Sequence, residues 1–264
     1  MKTQYIKEQL KSYFVFAALI LSLLFTSVNA AAQAKTAVPK IKNVVLVHGA
    51  FADGSGWKGL YEILNKKGYN VTIVQNPLSS LEDDVAATNL TLDKQDGPTI
   101  LVGHSWGGTV ITEAGNHPKV AALVYVAALQ PDNGENSAQW LQTAPPASEN
   151  GVLAPDEKGI AYFDKAKFHA GFAGDLSTEQ ADFMYASQGA FHAKGFLTPI
   201  TNAAWREKPS YGIVATEDKS IVPDIQRNMY KRSNTKITEI KGSHVVFISQ
   251  PAKVANVIIE ASKK

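Results

Sequence analysis

The sequence predicts an α/β fold: a mostly parallel sheet of about six strands flanked by helices, with a helical cap inserted part-way along. Two features predict the sheet. Short, continuous apolar runs, which suit strands buried on both faces, alternate with stretches of helical periodicity. The alternation is close enough for βαβ units joined by right-handed crossovers. A third feature predicts the cap. From residue 130 to about 208 the beat stops, and the chain becomes rich in Pro, Ala and aromatic residues. An insertion of this length after one strand reads as a lid over the strand ends.

Of the 264 residues, the first thirty stand apart from the fold. Lys2, Lys7 and Lys11 precede an apolar stretch, residues 14–25, that is too short to span a bilayer. Small residues follow, with cleavage expected after Ala30 or Ala34. The expectation is export, to a periplasmic or secreted location, without stable membrane association after cleavage. A retained N-terminal anchor is the alternative. Of 26 basic and 24 acidic residues, three and one lie in this leader, so the remainder is nearly neutral. With no basic run and no interleaving of basic and aromatic residues, nucleic acid is excluded as an expected partner. The chain has no cysteine, so neither disulfides nor thiolate metal ligands are available.

The folded part is expected over residues 42–264. Asn43-Val44-Val45-Leu46-Val47 is the first strand, ending in His48-Gly49-Ala50-Phe51. Trp57, Leu60, Tyr61 and Leu64 form a helical stripe that stops at Gly68. Residues 69–75 make the second strand. Ser79-x-x-Glu82 resembles a capping box opening a helix with Leu81, Val85 and Leu92. The third strand, Ile100-Leu101-Val102, runs into Gly103-His104-Ser105-Trp106-Gly107, and a helix with Val110, Ile111 and Ala114 follows. Residues 120–127 are the fourth strand. Beyond the insertion, residues 210–216 and 236–240 are strands, with a helix at 224–232 between them carrying Ile225 and Met229. The last helix starts near Pro251, with Val254, Val257, Ile258 and Ala261 on one face.

Gly103-x-Ser105-x-Gly107 between a strand and a helix is the setting of a nucleophile elbow. The turn is so tight that its neighbours must lack side chains, and the following helix directs its N-terminal N–H groups at the same spot. A serine hydroxyl needs a base, and the base an orienting acid. His244 follows the last strand and Asp218 the one before, so parallel strands bring both to the edge where Ser105 projects. Asp132, after the fourth strand, and Glu217 are the alternative acids. His48 and His104 sit inside glycine turns and are expected to be structural. His117 lies at a helix end, while His169 and His192 belong to the cap. An oxyanion needs N–H donors. The backbone of Trp106 supplies one, and Ala50, with Phe51 as the alternative, supplies the other. No cofactor or metal is expected, since the histidines lack ligand spacing with carboxylates.

The motifs V-L-V-H-G-A (45–50), G-H-S-W-G-G (103–108), A-T-E-D-K-S-I (215–221) and G-S-H (242–244) resemble the α/β-hydrolase superfamily over residues 42–261. Within it, the chain looks most like bacterial relatives of the plant methyl-salicylate esterase and hydroxynitrile lyase branch. The resemblance implies a triad of Ser105, Asp218 and His244, favours Asp218 over Asp132, and assigns Ala50 and Trp106 to the oxyanion hole. Lyases of that branch carry threonine in place of Gly49 and lysine in place of Val245, and haloalkane dehalogenases carry aspartate in place of Ser105. These departures argue against both activities. What the resemblance implies is hydrolysis of small carboxylic esters through an acyl-enzyme. Lactone, amide or perhydrolysis chemistry on the same triad, or a non-catalytic ligand-binding protein of the same fold, are the alternatives. The apolar cap could pack on substrate or on a second copy, which leaves a homodimer open.

Overall fold

The computed structural model describes residues 41–263. The leader expected at 1–30 lies outside the described residues.

Six strands form one parallel sheet: β1 (Asn43–Val47), β2 (Asn70–Val74), β3 (Thr99–His104), β4 (Val120–Val126), β7 (Ser210–Ala215) and β8 (Lys236–Ile240). Their spatial order is β2-β1-β3-β4-β7-β8. The order runs outward in two directions from β1 and β3, and the all-parallel pairing sends every strand's carboxyl end to one edge. Burial follows position. β1 and β3 are buried along their whole length, while the edge strands β2 and β8 are largely exposed or half-buried. Continuous apolar runs such as Val44-Val45-Leu46-Val47 therefore mark interior strands, covered by helices on both faces.

Helices fill the crossovers, and a final one follows the last strand. They are α1 (Lys58–Lys66), α2 (Leu81–Asp93), α3 (Trp106–Ala114), α8 (Pro223–Arg232) and α10 (Pro251–Ala261). Residues 54–57 form a 3-10 turn leading into α1. Trp57, Leu60 and Leu64 are buried, whereas Tyr61, expected on the same stripe, is 39% exposed. The cap of α2 is also one residue later than expected. Ser80, not Ser79, accepts from the Asp83 N–H at 3.1 Å, while the Ser79 hydroxyl bonds the Asp83 carboxylate. Starting the helix at Leu81 turns Leu81, Asp84, Thr88 and Leu92 inward and leaves Val85 half-buried. The inner face of α2 therefore contains a buried carboxylate that apolar periodicity does not report.

Between β4 and β7 lies the insert. It contains α4 (Ser137–Leu141), α5 (Lys165–Phe172), α6 (Thr178–Ser187) and α7 (Lys194–Leu197). It is not purely helical: β5 (Ile160–Ala161) and β6 (Phe191–His192) pair as a small antiparallel ribbon. Its own core is aromatic. Phe168 stacks on Phe172 at 4.9 Å between ring centroids, and Phe163 meets both edge-on. A short helix, α9 (Val246–Ser249), follows the histidine loop.

Candidate active site

At the end of β3, Ser105 adopts φ 53° and ψ −121°, a left-handed conformation that costs a residue with a side chain about 1–3 kcal/mol. The surroundings hold it there. Its N–H donates to Val126 O at 3.2 Å, and its carbonyl accepts from Gly108 at 2.9 Å and Leu129 at 3.2 Å. The flanking glycines are steric necessities. A Cβ on Gly103 would lie 2.3 Å from Gly107 O, and one on Gly107 would lie 2.6 Å from Val47 O.

Two loops from neighbouring strands meet this turn. The Glu217 N–H donates to Gly242 O at 3.0 Å, extending the β7–β8 pairing into the loops and fixing the acid turn against the histidine loop. His244 Nδ1 lies 2.7 Å from Asp218 Oδ2, and its Nε2 lies 2.8 Å from Ser105 Oγ. With the carboxylate accepting from Nδ1–H, Nε2 faces the serine hydroxyl as a lone pair. Asp218 also accepts from the Ser220 and Ile221 N–H groups on Oδ1, at 2.8 and 2.9 Å. The Gln226 amide donates to its Oδ2 at 2.8 Å. This carboxylate is buried and fully partnered.

The alternative acids are engaged elsewhere. Burial pushes Asp132 up, but its two 2.6 Å hydrogen bonds from Arg206 prevail and hold its carboxyl below the usual range. Glu217 pairs with Lys241 at the surface, at 3.5 Å. Of the other histidines, His48 Nε2 accepts from the Asn76 N–H and its Nδ1 bonds Gly49 O, both at 2.9 Å. Burial lowers its pKa, and it ties the first loop to the end of β2. His104 Nε2 donates to His244 O at 3.0 Å, and burial holds its pKa well below 6.5, so a neutral ring packs beside the His244 ring. His117 pairs with Asp93, His169 with Leu176 O, and His192 with the Lys194 N–H.

Ser105 and His244 open into a cavity of about 680 Å³. Its floor includes Ala50, Phe51 and Leu129 from the sheet edge, and its roof includes Pro145, Phe163, Phe172 and Phe196 from the insert. Among the described residues, no Asp, Glu, Lys or Arg lines it; Gln142, Thr143, Asn150 and Ser220 supply the remaining polarity. Trp106 opens α3, so its N–H has no acceptor within the helix. Among the described residues, no group of three or more His, Asp or Glu side chains could hold a metal ion.

The model of the alpha/beta hydrolase family matches residues 44–257. The chain belongs to that family. It is 26% identical to Methylesterase 7 of Arabidopsis thaliana over 253 residues, covering 84% of this chain and 97% of the relative. It is 25% identical to a pyrethroid hydrolase of Sphingobium wenxiniae, covering 83% and 87%. The crystal structure of the pyrethroid hydrolase PytH superposes with a TM-score of 0.73 at 21% identity, covering 84% of this chain and 98% of that one.

Some residues at this site escape a reading of the sequence. Asp84 accepts from the Trp106 indole N–H at 2.7 Å and from the Leu78 N–H at 2.7 Å. Asp175, from the insert, accepts from the Ser243 N–H at 2.9 Å and bonds the Ser243 and Ser249 hydroxyls. Gln226 holds Asp218. Each lies close in sequence to other polar residues, such as Glu82 and Asp83 beside Asp84 or Arg227 beside Gln226, and only a fold shows which of them turns inward.

Proposed function

We propose that this chain is a serine esterase of the alpha/beta hydrolase family, acting on small, uncharged carboxylic esters. The observation that supports this most directly is the unbroken hydrogen-bonded line from Asp218 through His244 to Ser105, opening into an apolar cavity. The names of its relatives, a methylesterase and a pyrethroid hydrolase, point the same way.

Ser105 Oγ attacks the ester carbonyl carbon as its proton passes to His244 Nε2. Asp218 keeps the imidazole in the tautomer that accepts this proton and stabilises the cation that results. The backbone N–H groups of Ala50 and Trp106 receive the negative charge that develops on the carbonyl oxygen. The carbon–oxygen bond to the alcohol breaks, and the alcohol leaves with the proton from His244. Water, deprotonated by His244, then attacks the acyl-enzyme and releases the carboxylic acid. The reading includes export, directed by the leader, and leaves the enzyme free of any cofactor.

Turnover of p-nitrophenyl butyrate tests the assignment. Ser105→Ala and His244→Ala each lower kcat by about 10⁴-fold or more, and Asp218→Asn by about 10²- to 10⁴-fold, with the fold retained by circular dichroism. Undiminished turnover in folded Ser105→Ala overturns it.

A further inference from the structure

We propose that Gln226 is a positioning residue for the reaction, setting both the orientation and the basicity of the Asp218 carboxylate through the same oxygen that holds His244; this rests on the esterase reading above. Gln226 lies on α8, wholly buried. Its side-chain nitrogen donates to Asp218 Oδ2 at 2.8 Å and to Ile221 O at 2.7 Å, and its oxygen accepts from the Ala215 N–H at 3.1 Å. One amide thus pins the last residue of β7, the turn that carries the acid, and the acid itself.

The chemistry follows from the sharing of Oδ2. That oxygen receives hydrogen bonds from His244 Nδ1 at 2.7 Å and from Gln226 at 2.8 Å. A neutral donor there spreads the carboxylate charge and limits how strongly Asp218 favours the protonated imidazole. It also fills the second site on Oδ2, so the carboxylate has one arrangement in which all its lone pairs are used. A glutamine suits the position because it both donates and accepts; methionine matches its bulk and does neither. Of the ionisable groups on the same helix, Asp224 and Arg227 pair with each other, Arg227 also with Glu239 and Arg232 with Glu135, Lys231 is exposed, and Tyr230 is pushed well above its ordinary pKa by burial and stays neutral.

Two variants test this. Gln226→Met retains the volume and removes all three bonds; it lowers kcat at least tenfold while KM stays within twofold. Gln226→Glu retains an acceptor for the Ala215 N–H and places a second carboxyl against Asp218. The pair then draws a proton toward itself and His244, and the titration of the imidazole moves to higher pH. NMR of the His244 ring protons reads that midpoint without any turnover, and an upward shift of at least one pH unit is expected. The rising limb of kcat/KM against pH moves with it, so activity lost near neutrality returns on the alkaline side. A purely structural glutamine gives a lower Tm with the His244 titration unchanged, and that result overturns the proposal. If wild type hydrolyses no ester yet His244 still shifts in Gln226→Glu, the esterase reading fails and the role of Gln226 toward the acid stands.

Discussion

Asp84 is a carboxylate buried beneath the nucleophile turn, accepting from two N–H donors. Burial raises its pKa from 3.8 to about 6, more than the Trp106 and Leu78 hydrogen bonds lower it. Because the folded value exceeds the unfolded one, the stability it contributes is fully present below pH 4. That contribution is lost as pH rises through 6, by about 3 kcal/mol in all. Asp132, Glu135 and Glu239 have lowered pKa values and act in the opposite direction, so the effect is isolated by comparison with Asp84→Asn. Urea unfolding at pH 4.5 and 7 is expected to show wild type losing stability relative to the variant as pH rises. A constant difference contradicts it. The retained cost is intelligible from the geometry, since Asp84 anchors the Trp106 indole against Phe191 and Phe196 of the insert.

Among the elements, α8 does more than cover the sheet. Its Tyr230 hydroxyl donates to Ala128 O at 2.8 Å and accepts from the Ala128 N–H at 2.9 Å. Ala128 follows Ala127, a residue at φ 46°, and precedes Leu129, whose N–H bonds Ser105 O. The helix therefore braces the turn after β4, and that turn braces the nucleophile. Tyr230→Phe leaves a buried N–H and carbonyl without partners and is expected to cost about 1–3 kcal/mol, read as a lower denaturation midpoint. An unchanged midpoint refutes the brace. The sequence makes α8 visible through Ile225 and Met229, which recur at helical spacing, but Gln226 and Tyr230 share that inner face without an apolar signature. Periodicity counts apolar side chains, so the polar ones that a helix turns inward are lost to it. The interior strands β1 and β3, by contrast, were legible because burial on both faces favours unbroken apolar runs. That Ser105, His244 and Asp218 meet at one sheet edge was legible for a related reason: all three follow strand ends, and a parallel sheet sends those ends to the same side.

At the scale of the molecule, the sheet edge brings Ser105, His244 and Asp218 together, and the insert walls the cavity above them. The small ribbon β5–β6 within the insert was not legible, because two-residue strands carry no pattern. Phe163, Phe168 and Phe172 form the insert's aromatic core, Tyr162 and Phe183 are exposed, and Phe163, Phe172 and Phe196 reach the cavity. A lining without a charged side chain leaves an ionised substrate group unpaired and desolvated. Between a neutral aryl ester and an analogue bearing a free carboxylate, kcat/KM is expected to differ by at least about 100-fold in favour of the neutral ester. Equal turnover of the two refutes an uncharged binding site.

The proposed reaction requires above all a Ser105 hydroxyl made nucleophilic by the hydrogen-bonded line that ends at it. Intact-mass analysis after incubation with a fluorophosphonate, wild type beside Ser105→Ala, tests this requirement directly. One adduct on wild type and none on the variant is the predicted result. Equal labelling of the two proteins, or no labelling of either, contradicts it.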